Sequence, residues 1–220
     1  MNRLSIKVNT HNKFTKAIED SIRELRTNLL SGKKEYSSIL FTSTQEGEGK
    51  STISFHLALS LSRCGKKTVW VDCDFRSKNQ LFSIHKEKET EGGTKEFFGG
   101  VAEYLNGACT SKEIIYPVEG EPLMVIPIGN REEMSCDLLE TELFPKLLAE
   151  LEQEFDYIIM DTSSAFEYID SRVIAEKCDG VIYVIHYNKA RRTQIQHTLD
   201  EIKKCKGEII GVVLNQTKPY

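Results

Sequence analysis

A short polar stretch near the start of the chain has the composition of a loop that binds phosphate. Residues 42–52 read Thr-Ser-Thr-Gln-Glu-Gly-Glu-Gly-Lys-Ser-Thr and lie between two apolar runs, 39–41 and 53–61. A strand, a glycine-rich turn and a helix in this order direct backbone N–H groups at phosphate oxygens, while the lysine adds a positive charge and the serine can ligate Mg²⁺. The sequence therefore predicts a triphosphate site. The residues predicted to bind the triphosphate are Thr44, Gln45, Glu46, Gly47, Glu48, Gly49, Lys50, Ser51 and Thr52.

This loop departs from the usual phosphate-binding pattern in two ways. Thr44 occupies the position where the pattern begins with glycine, and two acidic residues, Glu46 and Glu48, lie inside the loop. A carboxylate about 4 Å from a phosphate charge would cost roughly 4 kcal/mol at an effective dielectric constant near 20. We therefore expect both glutamate side chains to point outward when a phosphate is bound.

Three aspartates follow predicted strands and are candidates for phosphoryl-transfer chemistry. Asp72 and Asp74 end the run 68–76, and Asp161 ends the run 156–162. Mg²⁺ prefers oxygen ligands, and Ser51 with Asp161, directly or through water, would supply them. A carboxylate that does not bind the metal could orient and deprotonate an attacking hydroxyl. Asp72 and Asp74 are both candidates for that base.

Composition limits the classes of function. A chain of 220 residues is long enough for one sizeable core, and no linker-like segment divides it, so we expect one domain over residues 1–220. The net charge of −4 gives no general attraction to nucleic acid. The six cysteines show no spacing typical of a zinc site or a disulfide framework. No segment approaches the roughly 18 apolar residues of a membrane helix, so we expect a cytoplasmic protein that reaches a membrane only through a partner.

The remaining pattern alternates short apolar strands with amphipathic helices. This order predicts an α/β fold with a doubly wound, mostly parallel sheet covered on both faces, in which ligands bind at the carboxyl ends of the strands. The predicted strands are 39–41, 68–76, 123–128, 156–162, 181–185 and 209–214. The predicted helices are 15–30, 53–61, 101–105, one continuous helix over 138–151, 170–177 and 195–202.

Four segments together resemble the bacterial protein-tyrosine kinases (BY-kinases) of capsule and exopolysaccharide gene clusters, P-loop ATPases related to the partitioning and division-site ATPases. Residues 43–51 match the family's Ser-x-x-x-Gly-Glu-Gly-Lys-Ser Walker A loop, and residues 71–76 match its second Walker motif, Asp-x-Asp-x-Arg. Residues 157–162 match its Walker B strand. Residues 100–107 are similar to its Gly-Leu-x-x-x-Leu-x-Gly segment.

The resemblance implies a role for particular residues around bound ATP and Mg²⁺. Lys50 and Ser51 would hold the phosphates and the metal, and Asp161 and Asp74 would hold or orient the metal. Asp72 would be the base for a tyrosine hydroxyl. The implied catalytic residues are thus Asp72, Asp74 and Lys50, with Asn215 contacting the nucleotide base.

The resemblance also implies partners. Asp20, Arg23 and Arg26 resemble the helix through which family members form rings, and we expect Asp20 to pair with Arg23 while Arg26 remains available to a neighbour. A transmembrane adaptor, or polysaccharide co-polymerase, would recruit the protein to the inner face of the membrane. Protein tyrosines would be the substrates, and Tyr220 is the one terminal tyrosine available as an acceptor.

Two alternatives remain open from the sequence. One is a positioning ATPase that hydrolyses ATP as a dimer switch, although such proteins commonly carry an additional lysine early in the loop, where this chain has Thr44 and Gln45. The other is a non-catalytic nucleotide-binding subunit that serves in assembly of the export machinery.

Overall fold

A seven-stranded sheet forms the centre of the computed structural model, which describes residues 5–8, 16–76, 82–85, 98–131 and 136–216. Across the sheet the strands follow the order β5-β6-β3-β7-β2-β8-β9, and every adjacent pair is parallel except β5 with β6. The strands of this sheet are β2 (Ser38–Ser43), β3 (Thr68–Cys73), β5 (Tyr116–Pro117), β6 (Met124–Ile126), β7 (Tyr157–Thr162), β8 (Gly180–His186) and β9 (Ile209–Asn215). The predicted doubly wound, mostly parallel sheet is confirmed.

Seven α-helices lie between the described strands. They are α1 (Lys16–Leu30), α2 (Lys50–Arg63), α3 (Val101–Leu105), α4 (Cys136–Glu140), α5 (Leu143–Glu152), α6 (Asp170–Ala175) and α7 (Arg192–Lys204). The predicted helix over 15–30 is confirmed to within one residue. No helix in the described ranges is both long and apolar enough to cross a bilayer.

The central strands β2, β3 and β7 are buried on both faces, which explains why they lack a polar alternation. In β2, Leu40 packs with the core formed by α3 to α7, whereas its neighbours Ile39 and Phe41 pack with α2 on the opposite face. All three side chains are fully buried. Trp70 of β3 lies edge-on to Phe55 of α2, with ring centroids 5.6 Å apart. Apolar residues at successive positions therefore serve two cores at once.

The predicted continuous helix over 138–151 is wrong, because the structure divides it into α4 and α5. Pro145 explains the break. In one continuous helix its missing N–H would leave the Thr141 carbonyl without a partner, and its ring would clash there. Restarting the helix at Leu143 places Pro145 in the first turn, where no N–H is needed.

Three short strands were not predicted from the sequence. β1 (Ser5–Val8) and β4 (Phe82–His85) form a separate antiparallel pair, and β5 contributes two residues at the sheet edge. None is long enough to show a hydrophobic period, and β5 includes Pro117, which is tolerated at an edge.

Strand register brings the candidate residues together. Asp161 of β7 lies opposite Phe41 of β2 on one side and opposite Asp72 of β3 on the other. Since β2 leads directly into the loop before α2, the carboxyl ends of three adjacent strands converge on that loop. This is the edge where parallel sheets bind ligands.

Candidate active site

The loop between β2 and α2 has a conformation that requires glycine at its end. Gly49 has φ +97°, in the left-handed region, and precedes the first residue of α2. A Cβ atom at this position would lie 2.2 Å from Nδ2 of Asn215. Gly49 is therefore required both by its backbone angles and by the close approach of β9.

The two glutamates of the loop behave differently. Glu46 is exposed and accepts a hydrogen bond from the Tyr168 hydroxyl at 3.4 Å, so its predicted outward orientation is confirmed. Glu48 is fully buried, and its carboxylate accepts from the backbone N–H of Gln45 at 2.7 Å and of His186 at 3.3 Å. The expectation that Glu48 points outward is wrong, because this carboxylate serves as an internal brace between the loop and β8.

Thr44 fills the position where glycine is usual. Its side chain is buried, and its hydroxyl lies 2.7 Å from the Tyr183 hydroxyl of β8. The hydroxyl partner on the next strand explains how the loop accommodates a β-branched residue there.

Asp161 has the arrangement expected of a metal-binding carboxylate. Its side chain is 2 % exposed, it is hydrogen-bonded to Ser51, and its Oδ1 atom has no partner among the described residues. Burial raises the pKa of Asp161 well above its ordinary value, and the nearby Lys50 ammonium opposes that shift. A buried carboxylate oxygen without a partner is costly unless a cation or another donor completes it.

These residues fit Mg²⁺. Ser51 and Asp161 supply the hard oxygen donors that Mg²⁺ takes from proteins, and phosphates and water normally complete its shell. The described ranges contain no group of three or more His, Cys, Asp or Glu placed to hold a metal. A magnesium site with nucleotide needs no such group, since the phosphates provide ligands.

Asp72 is the second-last residue of β3, whereas Asp74 lies just after the strand. β3 ends at Cys73, the Asp72 carboxylate accepts from the N–H of Asp74 at 3.0 Å, and the Asp74 carboxylate accepts from the N–H of Arg76 at 3.1 Å. The predicted strand over 68–76 is thus too long. An aspartate side chain that accepts from the N–H two residues later bends the backbone out of the strand. Both carboxylates nevertheless lie at the carboxyl end of β3, each 6 % exposed.

Arg131 is a site residue that the sequence did not reveal. Its Nη2 atom forms an ion pair with Oδ2 of Asp72 at 3.5 Å. Burial raises the pKa of Asp72 to about 7, while Arg131 and the Asp74 N–H oppose the shift. Glu103, in the segment 100–107, holds this loop by accepting from the N–H of Asn130 at 3.0 Å. One arginine in a loop has no spacing pattern of its own, so the sequence did not single it out.

Arg76 completes the acidic motif by tying it to α6. Its guanidinium donates to both carboxylate oxygens of Asp170, at 2.8 and 3.1 Å, and lies over the Tyr168 ring with 5.1 Å to the centroid. Asp170 is fully buried. The motif therefore contains its own structural anchor.

Asn215 lies behind the phosphate-binding loop. Its Nδ2 donates to the Glu48 carbonyl at 2.9 Å, and its Oδ1 accepts from the N–H of Gln216 at 2.8 Å. Its contact with a nucleotide base stays a prediction.

The candidate ring-forming residues lie in the first eleven residues of α1. Asp20 and Arg23 form the expected pair, at 3.3 Å and largely exposed. Arg26 is not simply available to a neighbour, because its Nη1 donates to the Ser60 hydroxyl of α2 at 3.0 Å. Tyr220, the proposed acceptor, lies outside the described residues.

Comparison with known proteins shows the family to which this chain belongs. The family described as "AAA domain" matches residues 36–212. The tyrosine-protein kinase CpsD of Streptococcus agalactiae serotype III is 32% identical over 216 residues, covering 98% of this chain and 89% of CpsD. The crystal structure of the VpsO kinase domain superimposes with a TM-score of 0.76 at 28% identity, covering 92% of this chain and 98% of that domain. The succinoglycan biosynthesis transport protein ExoP of Rhizobium meliloti is 24% identical over 182 residues, which are 81% of this chain and 22% of ExoP.

The fold and the loop at the centre of its sheet define a P-loop protein with an AAA-type ATPase domain. Within that class, the chain belongs to the family of bacterial tyrosine-protein kinases. The resemblance found from the four sequence segments is confirmed.

Proposed function

We propose that this protein is an ATP- and Mg²⁺-dependent protein-tyrosine kinase that works with a transmembrane adaptor to regulate the synthesis or export of a capsular polysaccharide or exopolysaccharide. The observation that carries the proposal is the register of Asp72 with Asp161 on adjacent strands, directly beside the Lys50-Ser51 loop. One carboxylate can then serve the metal while the other serves the hydroxyl that is phosphorylated.

The proposed transfer divides the work among these side chains. Asp72 takes the proton of a substrate tyrosine hydroxyl as the phenolic oxygen bonds to the γ-phosphorus and the bond to the β–γ bridging oxygen breaks, releasing ADP. Lys50, buried beside Asp161, holds phosphate oxygens through its ammonium. Ser51, Asp161 and Asp74 would hold Mg²⁺, which would neutralise phosphate charge.

The partner and the pathway are proposed from relatives. The name of CpsD, a tyrosine-protein kinase, supports the kinase activity, and the name of ExoP, a succinoglycan biosynthesis transport protein, supports a role connected with polysaccharide. The family resemblance supports the adaptor, recruitment to the inner face of the membrane, and self-assembly through Asp20, Arg23 and Arg26. It also supports Tyr220 as a phosphate acceptor.

Label transfer tests the proposed base. The full chain is incubated with γ-labelled ATP, Mg²⁺ and the adaptor's cytoplasmic segment, and phosphotyrosine is quantified. We expect Asp72→Asn to lower transfer by about 10²- to 10⁴-fold, the usual contribution of a general base, while ADP binding is retained. Asp200→Asn, an exposed change of the same type on α7, is the matched control.

Asp74→Asn separates the two candidate aspartates. If Asp74 helps to bind the metal, Asp74→Asn should raise the Mg²⁺ concentration needed for half-maximal transfer. Unchanged transfer in Asp72→Asn would refute Asp72 as the base, and strong loss in Asp74→Asn alone would assign that role to Asp74.

The same experiment separates the alternative functions. ATP-dependent dimers with water as the sole phosphate acceptor would indicate a positioning ATPase. Tight ATP binding with neither hydrolysis nor phosphotyrosine in the presence of the adaptor would indicate a non-catalytic assembly subunit.

A further inference from the structure

The turn that follows β8 lies against the outer side of the phosphate-binding loop. Lys189, in this turn, donates a hydrogen bond from its ammonium to the backbone carbonyl of Glu46. The same nitrogen would lie 3.0 Å from a Cβ atom placed on Gly47. Lys189 is exposed and belongs to none of the four family-like segments, yet it places a second ammonium beside the loop that contains Lys50.

Three carbonyl groups of the loop are each satisfied by a side-chain donor. The Ser43 hydroxyl donates to the Gln45 carbonyl at 2.8 Å, and Asn215 Nδ2 donates to the Glu48 carbonyl at 2.9 Å. Lys189 donates to the Glu46 carbonyl, which lies between these two in sequence. Together the three donors hold the loop through its backbone carbonyls.

Holding a carbonyl fixes the direction of the next N–H. The Glu46–Gly47 peptide is trans, as are all the described peptide bonds. In a trans peptide the C=O and N–H groups point in opposite directions. Because the Glu46 carbonyl is turned to Lys189, the N–H of Gly47 points away from that lysine. Backbone N–H groups of such loops bind phosphate oxygens.

The turn that bears Lys189 is itself fixed to neighbouring strands. Asn188 has φ +59°, which reverses the chain, and the N–H of Lys189 donates to the His186 carbonyl at 3.2 Å. The N–H of Tyr187 donates to the Asn215 carbonyl at 3.0 Å. The lysine therefore extends from a held turn rather than from a free loop.

We propose that Lys189 is a positioning residue for the nucleotide: its ammonium fixes the Glu46–Gly47 peptide with the N–H of Gly47 toward the phosphates and adds positive charge to the site. This inference rests on the proposed nucleotide site. The start of the loop has Thr44 and Gln45 and no lysine there. The β8–α7 turn thus provides a second lysine beside the loop, in addition to Lys50.

Fluorescent ADP binding to the full chain tests this role. We expect Lys189→Met to raise the dissociation constant about three- to tenfold, as for one exposed charge-assisted hydrogen bond, and Lys189→Arg to restore binding to within about twofold of wild type. Lys66→Met is the matched control. It makes the same change in charge at an exposed residue before β3, at the opposite edge of the sheet.

Kinetics distinguish positioning from a loss of structure. With γ-labelled ATP and a tyrosine acceptor, Lys189→Met should raise the KM for ATP about three- to tenfold and leave kcat within about twofold, with an unchanged urea midpoint. Equal ADP affinity in wild type and Lys189→Met, or equal weakening by Lys66→Met, would overturn the proposal. A wild-type protein that binds no ADP would instead refute the nucleotide site itself, so the two failures are distinguishable.

Discussion

Replacing Arg76 tests whether the acidic motif is anchored by a buried ion pair. In Arg76→Met, the Asp170 carboxylate would lose a guanidinium that donates at 2.8 and 3.1 Å, while the methionine retains much of the apolar stem. Asp170 is fully buried, but the Arg76 side chain is 41% exposed. The variant therefore leaves a carboxylate in the interior without its main partner, at a site that water can partly reach.

The expected magnitude follows from this asymmetry. Removing one partner of a fully buried ion pair costs about 3–5 kcal/mol. Because Arg76 is partly hydrated, we expect Arg76→Met to lower the free energy of unfolding by about 2–3 kcal/mol, or Tm by about 4–12 °C for a chain of this length. Arg76→Lys should cost about half as much, because it keeps the charge but cannot donate to both oxygens at once.

Urea unfolding at pH 7, followed by circular dichroism, measures the effect. The double variant Arg76→Met, Asp170→Asn should recover about 1–2 kcal/mol relative to Arg76→Met alone, because no carboxylate remains buried without a partner. Arg23→Met, which breaks an exposed pair on α1, should change stability by less than about 0.5 kcal/mol. A coupling energy near zero between Arg76 and Asp170 would refute the reasoning.

Two further predictions concern the phosphate-binding loop and His56, a partly buried residue of α2. Gly49→Ala should abolish ADP binding, because its Cβ would lie 2.2 Å from Asn215 Nδ2 at a φ of +97°; wild-type affinity in a titration would contradict this. Burial, reinforced by Arg63, lowers the pKa of His56 to about 4, below its unfolded value near 6.5. The unfolded state therefore takes up the proton first, and stability falls by about 1–2 kcal/mol, after allowance for solvent screening, as pH drops from 6.5 to 4. His56→Gln should flatten urea midpoints over that window, and an unchanged slope would refute the assignment.

Much of the fold was predictable because a parallel sheet leaves a strong pattern. Strands such as 157–162 are buried on both faces, so they are apolar at nearly every position, and helices between them have a clear period. The wrong predictions arose where a local interaction overrode the hydrophobic pattern. Pro145 divided one predicted helix into two, and the Asp72 and Asp74 side chains ended β3 earlier than its apolar run suggested.

The parts of the candidate site that depend on residues close together in the chain were predictable. Gly49, Lys50 and Ser51 are recognisable because their spacing along the chain is itself the mechanism of phosphate binding. Arg131 and Lys189 act from loops and Asp170 from the start of α6, all distant in sequence from the residues they contact, and single charged residues are usually solvated. Glu48 shows the same limit, because its burial depends on a backbone N–H supplied by β8.

The sequence by itself determined the sheet class, the phosphate-binding loop and the acidic residues at the ends of two strands, because each depends on residues close together in the chain. Only the tertiary structure decided how these parts are held. The register of β3 with β7 aligns Asp72 with Asp161, Arg76 links the acidic motif to Asp170 of α6, and Arg131 and Lys189 reach the site from separate loops. Such contacts depend on where loops meet after folding, and no local period in the sequence records them.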